Sequence, residues 1–173
     1  MKGQNCDLIL MCMHTGGQYN PTATDDTKKL VQFLLARGVN IIAGTHEHVV
    51  HGGEFASLKK GQLATYSLGN FDGVAGVYDK PFDKMAEYSI AWHVYVNKEG
   101  GSARLTRTSF TVLKSVKDPG KEGGIILVPV FDLIRQCSNS KEKEKLINDL
   151  YEIARRFSEQ DVSGEGVQLE YFI

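Results

Sequence analysis

Two apolar runs separated by one amphipathic helix constrain the fold of this chain more than any other feature. Residues 6–13 and 39–44 are nearly continuous in apolar side chains, which is typical of parallel strands buried on both faces. Between them, Thr24 has the character of a helix N-cap, and an apolar stripe at helical spacing follows it, ending at Gly38. This order predicts a βαβ unit with adjacent parallel strands and a right-handed crossover.

The remainder of the chain is predicted to form antiparallel strands followed by helices. Gly53 to Leu58 and Gln62 to Leu68 flank a Lys-Lys-Gly turn and predict one hairpin, and residues 85–116 predict a second. Residues 131–158 have the periodicity of C-terminal helices, with an apolar face opposite a Lys/Glu face. We therefore expect one α/β domain over residues 1–173, an α+β sandwich, with residues 6–73 as its motif-bearing core.

Composition excludes several classes of partner. The 173 residues include 20 Lys and Arg against 21 Asp and Glu, a formal net charge of -1. This balance gives no reason to expect binding to nucleic acid or to an anionic membrane. The sequence has neither a signal peptide nor an apolar run long enough to span a bilayer, so it leaves the compartment of this chain unknown. The three cysteines, Cys6, Cys12 and Cys137, are expected to be small buried apolar residues.

Three histidines follow the two predicted parallel strands. His14 ends the first apolar run, and His46 and His48 come directly after the second. The carboxyl ends of parallel strands are where open α/β sheets usually carry their ligands, and neutral imidazole is the commonest metal ligand. We therefore expect His14, His46 and His48 to converge on one cavity as metal ligands, with Asn70 lining it.

Other residues near these histidines have less specific interpretations. Glu47 is expected to point away from the two histidines into solvent if the loop stays extended. His51 could approach the site, but a surface histidine is the favoured interpretation. His93 lies within a predicted strand and is expected to pack or form a hydrogen bond there. Cys12 lies two residues before His14, so both side chains would point to the same face of a strand. A nucleophilic Cys–His dyad needs direct contact between the two groups, so we do not favour such a dyad here.

These residues carry a family resemblance. The run from Asp7 to His14, the segment Gly44-Thr45-His46-Glu47-His48 and the segment Tyr66 to Phe71 resemble the bacterial CapA capsule-synthesis family, which includes poly-γ-glutamate synthesis proteins. That family is similar to the calcineurin-like metallophosphoesterases. The resemblance covers residues 6–73 and implies a metallophosphoesterase-like fold.

The resemblance also implies roles for individual positions. His14, His46 and His48 match histidines that hold divalent metal ions (Zn, Mn or Fe) in the related phosphoesterases, which makes His14 and His48 candidate catalytic residues. Asn70 and Phe71 match the motif that closes the site. Two positions depart from the family pattern, because Thr15 replaces an aromatic residue and Glu47 replaces a proline.

The largest departure lies upstream of His14. The families place carboxylate and asparagine motifs before this histidine, and only thirteen residues precede it here. Asp7 is too far along its strand to replace the bridging carboxylate, and Asp72 is the remaining candidate. We therefore expect an incomplete domain, in which both apolar strands are partly uncovered and which forms a homodimer or binds a partner that supplies the missing half.

Three functional interpretations follow from the resemblance. The first is a role in capsule or poly-γ-glutamate biosynthesis or polymer attachment, with an anionic polymer or a phosphate-containing substrate. The second is a metal-dependent phosphoesterase that is active only when upstream sequence or another chain completes it, and the third is a non-catalytic binding module. The intact relatives are expected to be membrane-anchored and extracytoplasmic. For the isolated chain we expect weak binding of a single metal ion and negligible hydrolysis.

Overall fold

The computed structural model describes residues 6–71 and 85–173. Its first half is the expected βαβ unit, with β1 (Leu10–His14), α1 (Asp25–Leu35) and β2 (Ile41–Thr45). β1 pairs with β2 in parallel register, so the prediction of adjacent parallel strands is confirmed. Parallel strands place both carboxyl ends, at His14 and Thr45, on the same edge of the sheet.

The helix α1 begins where the sequence indicates. The Thr24 hydroxyl accepts a hydrogen bond from the backbone N–H of Thr27, and two aspartates occupy the first turn, where the helix dipole favours negative charge. Val31 and Leu35 are buried against the sheet. Gly38, at φ +90°, lies just beyond the helix in the left-handed region.

Sheet A contains four strands in the order β1-β2-β4-β3, with β3 at Val50–Gly53 and β4 at Leu63–Leu68. β2 and β4 are central and buried, whereas β1 is an edge strand. Leu10 in β1 is 61% exposed. The prediction that β1 is buried on both faces is therefore wrong. At this edge of the described sheet, the face with Leu10 and Cys12 is exposed, whereas Met13 on the opposite face is buried. Both strands were expected to be partly exposed to solvent. This expectation is confirmed for β1 and is wrong for β2, which is largely buried.

Two further expectations are corrected. Cys6 and Cys12 are exposed and Cys137 is half-buried. Cys12 lies on the same uncovered face of β1 as Leu10. The first hairpin is also different from the prediction. β3 and β4 pair antiparallel, but residues 55–60 form a short 3-10 helix (Phe55–Lys60) rather than the end of a strand. Phe55 on this helix is buried in the core, which explains the apolar character that favoured a strand.

Sheet B is antiparallel and lies in the second described range. β5 (Tyr88–Glu99) and β6 (Ser102–Lys117) form a long hairpin across Gly100 and Gly101, both of which have positive φ. β7 (Ile125–Pro129) and a two-residue strand β8 (Tyr171–Phe172) both pair with β6. Sheet A contains the parallel pairs β1–β2 and β2–β4 together with the antiparallel pair β3–β4, and sheet B is antiparallel, so the expected α+β class is confirmed.

Two helices follow β7, namely α2 (Val130–Gln136) and α3 (Ser140–Ser158), and a 3-10 turn, Ser163–Glu165, precedes β8. α3 buries Leu150, Ile153 and Phe157 in the larger core, which lies between the two sheets and this helix. A smaller core lies on the other face of sheet A, beneath α1. The central strands of sheet A, β2 and β4, are thus covered on both faces. Within the described ranges, no helix is long and apolar enough to cross a membrane.

Candidate functional site

The candidate site lies at the carboxyl edge of sheet A. His14 is the last residue of β1 and is in register with Thr45, the last residue of β2. His46 and His48 follow immediately in a bend that we call the histidine loop, residues 45–49. His14 is exposed, and His46 and His48 are half-buried. The parallel pairing therefore explains why residues more than thirty positions apart in the sequence meet here.

His14 and His46 are in direct contact. His14 Nε2 lies 2.9 Å from His46 Nδ1, and the ring centroids are 4.5 Å apart. On its other side, His14 Nδ1 lies 3.2 Å from the Thr45 hydroxyl, which itself donates a hydrogen bond to the Met13 carbonyl. Since that hydroxyl hydrogen is used, His14 Nδ1 is the donor to Thr45, and its Nε2 carries a lone pair toward His46.

His48 is oriented by Asn70. His48 Nδ1 lies 3.1 Å from Asn70 Oδ1, and the Asn70 amide nitrogen donates to the Ala86 carbonyl at 3.1 Å. The amide orientation makes Oδ1 the acceptor, so His48 Nδ1 carries the hydrogen and Nε2 is left with a lone pair. A hydrogen bond of this kind is how metal-ligating histidines are usually held. Tyr19 stacks on the same imidazole, with ring centroids 5.0 Å apart and an interplanar angle of 15°.

The structure thus brings the predicted residues together as two pairs, His14 with His46 and His48 with Asn70. Among residues 6–71 and 85–173, no group of three or more His, Cys, Asp or Glu side chains is arranged to share a metal ion. Metal binding by the three histidines stays a prediction. Phe71, expected to line the site, is 65% exposed, and Asp72, the candidate replacement carboxylate, lies outside the described residues.

The histidine loop has an unusual backbone. His46 has φ +106° and His48 has φ +60°. Tyr19 has φ +61° and lies in residues 16–20, which form a loop facing the histidine loop. Non-glycine residues rarely adopt positive φ, and each such residue costs on the order of 1–3 kcal/mol, so these conformations persist only where surrounding contacts enforce them. Histidine occurs at positive φ more often than most side chains do, but nothing in the neighbouring residues indicates that both histidines would adopt it.

The expectation that Glu47 is solvated is wrong. Its side chain is completely buried, and its Oε2 lies 2.9 Å from His51 Nδ1. His51 is likewise 3% exposed rather than a surface residue, and its Nε2 lies 2.8 Å from the Asn20 carbonyl oxygen. The positive φ angles on either side of Glu47 break the strand-like alternation on which the prediction depended, so the carboxylate turns inward while both neighbouring imidazoles stay half-exposed.

His93 behaves as expected, with Nε2 lying 3.2 Å from the Thr111 hydroxyl in sheet B. A cavity of about 590 Å³ lies on the other side of His51 and is lined in part by Tyr66, Arg155 and Arg156. Two of its basic side chains, Arg155 and Arg156, both bond Glu152. Burial and the hydrogen bond to Glu54 raise the pKa of Tyr66 well above its usual range, so this hydroxyl stays protonated.

The part of the chain that forms the candidate site is similar to known proteins. Residues 1–73 match the family described as bacterial capsule synthesis protein PGA_cap. These residues are fewer than half of the 173 in the chain. The matched residues include His14, the histidine loop and Asn70. The match ends before sheet B begins.

The chain is also similar to two named relatives, each less than 30% identical to it. The chain is 25% identical over 136 residues to the PGA biosynthesis protein CapA of Bacillus subtilis (strain 168), which covers 79% of this chain and 33% of the relative. It is 29% identical over 104 residues to the capsule biosynthesis protein CapA of Bacillus anthracis, which covers 60% of this chain and 23% of the relative. The alignments span a third or less of the length of either relative. The resemblance to the CapA family that the motifs indicated is confirmed.

Proposed function

We propose that this chain acts in the biosynthesis or attachment of a capsule polymer of the poly-γ-glutamate type, through a metallophosphoesterase-like site built on His14, His46 and His48. The names of the two relatives support the polymer class. The observation that carries the site is the 2.9 Å approach of His14 Nε2 to His46 Nδ1 at the carboxyl edge of the sheet. An anionic polymer or a phosphate-containing compound is the expected substrate.

The donor set fits one divalent ion such as Zn²⁺, Mn²⁺ or Fe²⁺. In a tetrahedral site with Zn–N bonds of 2.0–2.1 Å, ligand nitrogens lie about 3.3 Å apart. The two nitrogens of His14 and His46 are 2.9 Å apart, so a movement of a few tenths of an ångström would let both bind one ion. His14 and His46 would hold it, and the bound ion would polarise an oxygen of the substrate or lower the pKa of a water ligand.

His48 is the candidate catalytic residue beside this pair. Asn70 fixes its orientation and leaves Nε2 with a lone pair, so His48 can accept a proton or serve as a further ligand. The buried Glu47 carboxylate cannot bridge two ions held by these histidines, because it is completely inaccessible and faces His51. We therefore propose single-metal binding by the isolated chain and negligible turnover of a generic phosphodiester.

The second candidate function is a phosphoesterase completed by further sequence or by another chain. Two observations favour it: the alignments cover a third or less of each relative, and β1 stands at the end of sheet A with Leu10 exposed. A homodimer, or a partner strand added to β1, would extend this sheet toward the candidate site. A non-catalytic polymer-binding module is the third possibility, and the experiment below distinguishes it.

Calorimetric titration with Zn²⁺ and Mn²⁺ tests the proposal, on the natural sequence, on His14→Ala and His46→Ala, and on the control His93→Ala. We expect one weak site that is lost in the first two variants and retained in the control, whose imidazole contacts Thr111 in sheet B. Two ions per chain with phosphodiester turnover that depends on His14 would favour the completed enzyme. Binding of a γ-linked glutamate oligomer without any metal binding would favour the non-catalytic module and contradict the metal site.

A further inference from the structure

The side chain between the two half-exposed histidines of the loop is the most completely buried carboxylate near the site. Glu47 is 0% exposed, and among the described residues neither of its oxygens has a hydrogen bond of ordinary geometry. A carboxylate deprived of water and of hydrogen bonds is costly unless a partner compensates it. Because it is inaccessible, Glu47 cannot touch a substrate or an ion bound by the neighbouring histidines. Its burial must therefore serve a structural role.

The compensating partner is His51. The Asn20 carbonyl is an acceptor only, so His51 Nε2 must be the donor in their 2.8 Å contact. Glu47 Oε2 lies 2.9 Å from the other ring nitrogen, Nδ1. Both side chains are buried, so they form one polar unit in the protein interior.

This unit joins the histidine loop to the facing loop at residues 16–20. The Glu47 carbonyl accepts a hydrogen bond from the Tyr19 backbone N–H at 2.8 Å, and His51 bonds the Asn20 carbonyl. Gly16 forms the wall against the carboxylate, since a β-carbon there would lie 1.7 Å from Oε1. The backbone and the side chain of Glu47 are thus both held by the same facing loop, directly or through His51.

The histidines on either side of Glu47 have the strained backbone angles. His46 has φ +106° and His48 has φ +60°, and this pair of reversals is what turns the intervening carboxylate inward. We propose that Glu47 and His51 form a buried clamp, which holds the histidine loop in its strained conformation and thereby positions the imidazoles of His46 and His48. Both are positioning residues. The inference deepens the proposed function, because those imidazoles are its metal-binding and catalytic groups.

The clamp is tested without metal, by NMR of the imidazole nitrogens and by amide hydrogen exchange over residues 45–49. Glu47→Leu removes the polar contact at similar volume, and Glu47→Gln restores a donor toward His51 Nδ1. Asp149→Leu is the matched control, because Asp149 is also a buried carboxylate but bonds Tyr88 and Lys145 in the other half of the fold. Should Glu47→Leu fail to fold, His51→Phe removes the same contact from its other side.

We expect Glu47→Leu to shift the ring signals of His46 and His48 and to raise exchange in the loop about tenfold or more. Glu47→Gln should stay close to the natural sequence, and Asp149→Leu should leave the loop signals unchanged. An unperturbed loop in Glu47→Leu, an equal perturbation in Asp149→Leu, or no rescue by Glu47→Gln would overturn the clamp. Zinc titration of the natural sequence is scored separately, so a failure of metal binding contradicts the proposed function and leaves the NMR result as the test of the clamp.

Discussion

Gly16 packs directly against the carboxylate of Glu47, although thirty-one positions separate them in the sequence. A β-carbon at position 16 would lie 1.7 Å from Glu47 Oε1, and the Gly16 backbone has φ +125°, a conformation that side chains rarely adopt. Both the space and the backbone therefore require glycine. This contact closes the wall behind the candidate site, and it gives a direct test of how tightly the two loops are packed.

Gly16→Ala should destabilise the fold more than an ordinary strained glycine substitution. Backbone strain costs about 1–3 kcal/mol and overpacking costs a further 1–3 kcal/mol, roughly. Gly38→Ala is the control, because Gly38 has φ +90° but a β-carbon added there would meet no atom within 4 Å, so only the strain of about 1–2 kcal/mol remains. Urea unfolding of both variants measures the difference, and equal losses would show that Gly16 is not packed against Glu47.

A buried polar network joins sheet B to α3. The Tyr88 hydroxyl donates to Asp149 Oδ2 at 2.5 Å and accepts a hydrogen bond from Lys114 at 3.0 Å, and Tyr88 is completely buried. Burial and the bond to Asp149 raise the pKa of Tyr88 far above its usual range, so the hydroxyl remains a donor.

Tyr88→Phe should therefore lower the free energy of unfolding by about 1–3 kcal/mol, because it removes a donor from a buried carboxylate. Tyr171→Phe is a matched control at another buried tyrosine, whose hydroxyl donates to the neutral Gly166 carbonyl, and it should cost about 0.5–1.5 kcal/mol. Chemical denaturation compares them. If Tyr171→Phe lowers the free energy of unfolding as much as Tyr88→Phe or more, the charge-assisted network is contradicted.

The C-terminal segment contributes a pH-dependent term. Hydrogen bonds donated by the Ser109 and Tyr95 hydroxyls hold the pKa of Glu170 below its ordinary value of 4.5. Because the folded state binds this proton more weakly, the stabilisation is fully present above the unfolded pKa and is lost as the pH falls through the folded pKa.

We therefore expect Glu170→Gln to reduce the loss of stability between pH about 6 and pH about 3, relative to the natural sequence. Glu144→Gln, on the exposed face of α3, serves as the control and should leave this pH dependence unchanged. Urea unfolding across the pH series is the measurement. An identical pH dependence in Glu170→Gln and the natural sequence would show that these hydrogen bonds do not stabilise the folded carboxylate.

The sequence was sufficient for the topology around the site, because local signals define it. The apolar runs, the Thr24 cap and the right-handed crossover rule together required β1 and β2 to be parallel, and this alone brings His14 close to the histidine loop. The edge position of β1 was not predictable from its own residues. An apolar run has the same appearance whether it has one neighbouring strand or two, so the exposure of Leu10 depends on which strands follow elsewhere.

The interior of the site was predicted less well, for a different physical reason. The interpretation of Glu47 assumed extended alternation, and the positive φ of His46 and His48 reverses it. The residues next to His46 and His48 in the sequence do not indicate such a conformation. His51 became buried because β3 turns back onto β4, a long-range pairing that its own neighbours do not specify.

Imidazole NMR during zinc titration tests the central claim most directly, because it observes the nitrogens on which the proposed site depends. Without metal, the hydrogen between His14 and His46 belongs to His46 Nδ1, since His14 donates from its own Nδ1 to Thr45. We predict that one equivalent of Zn²⁺ moves the hydrogen of His46 from Nδ1 to Nε2 and shifts His14 Nε2, while His93 is unaffected. Zinc-dependent shifts that spare His14 and His46, or that appear equally at His93, would contradict the account.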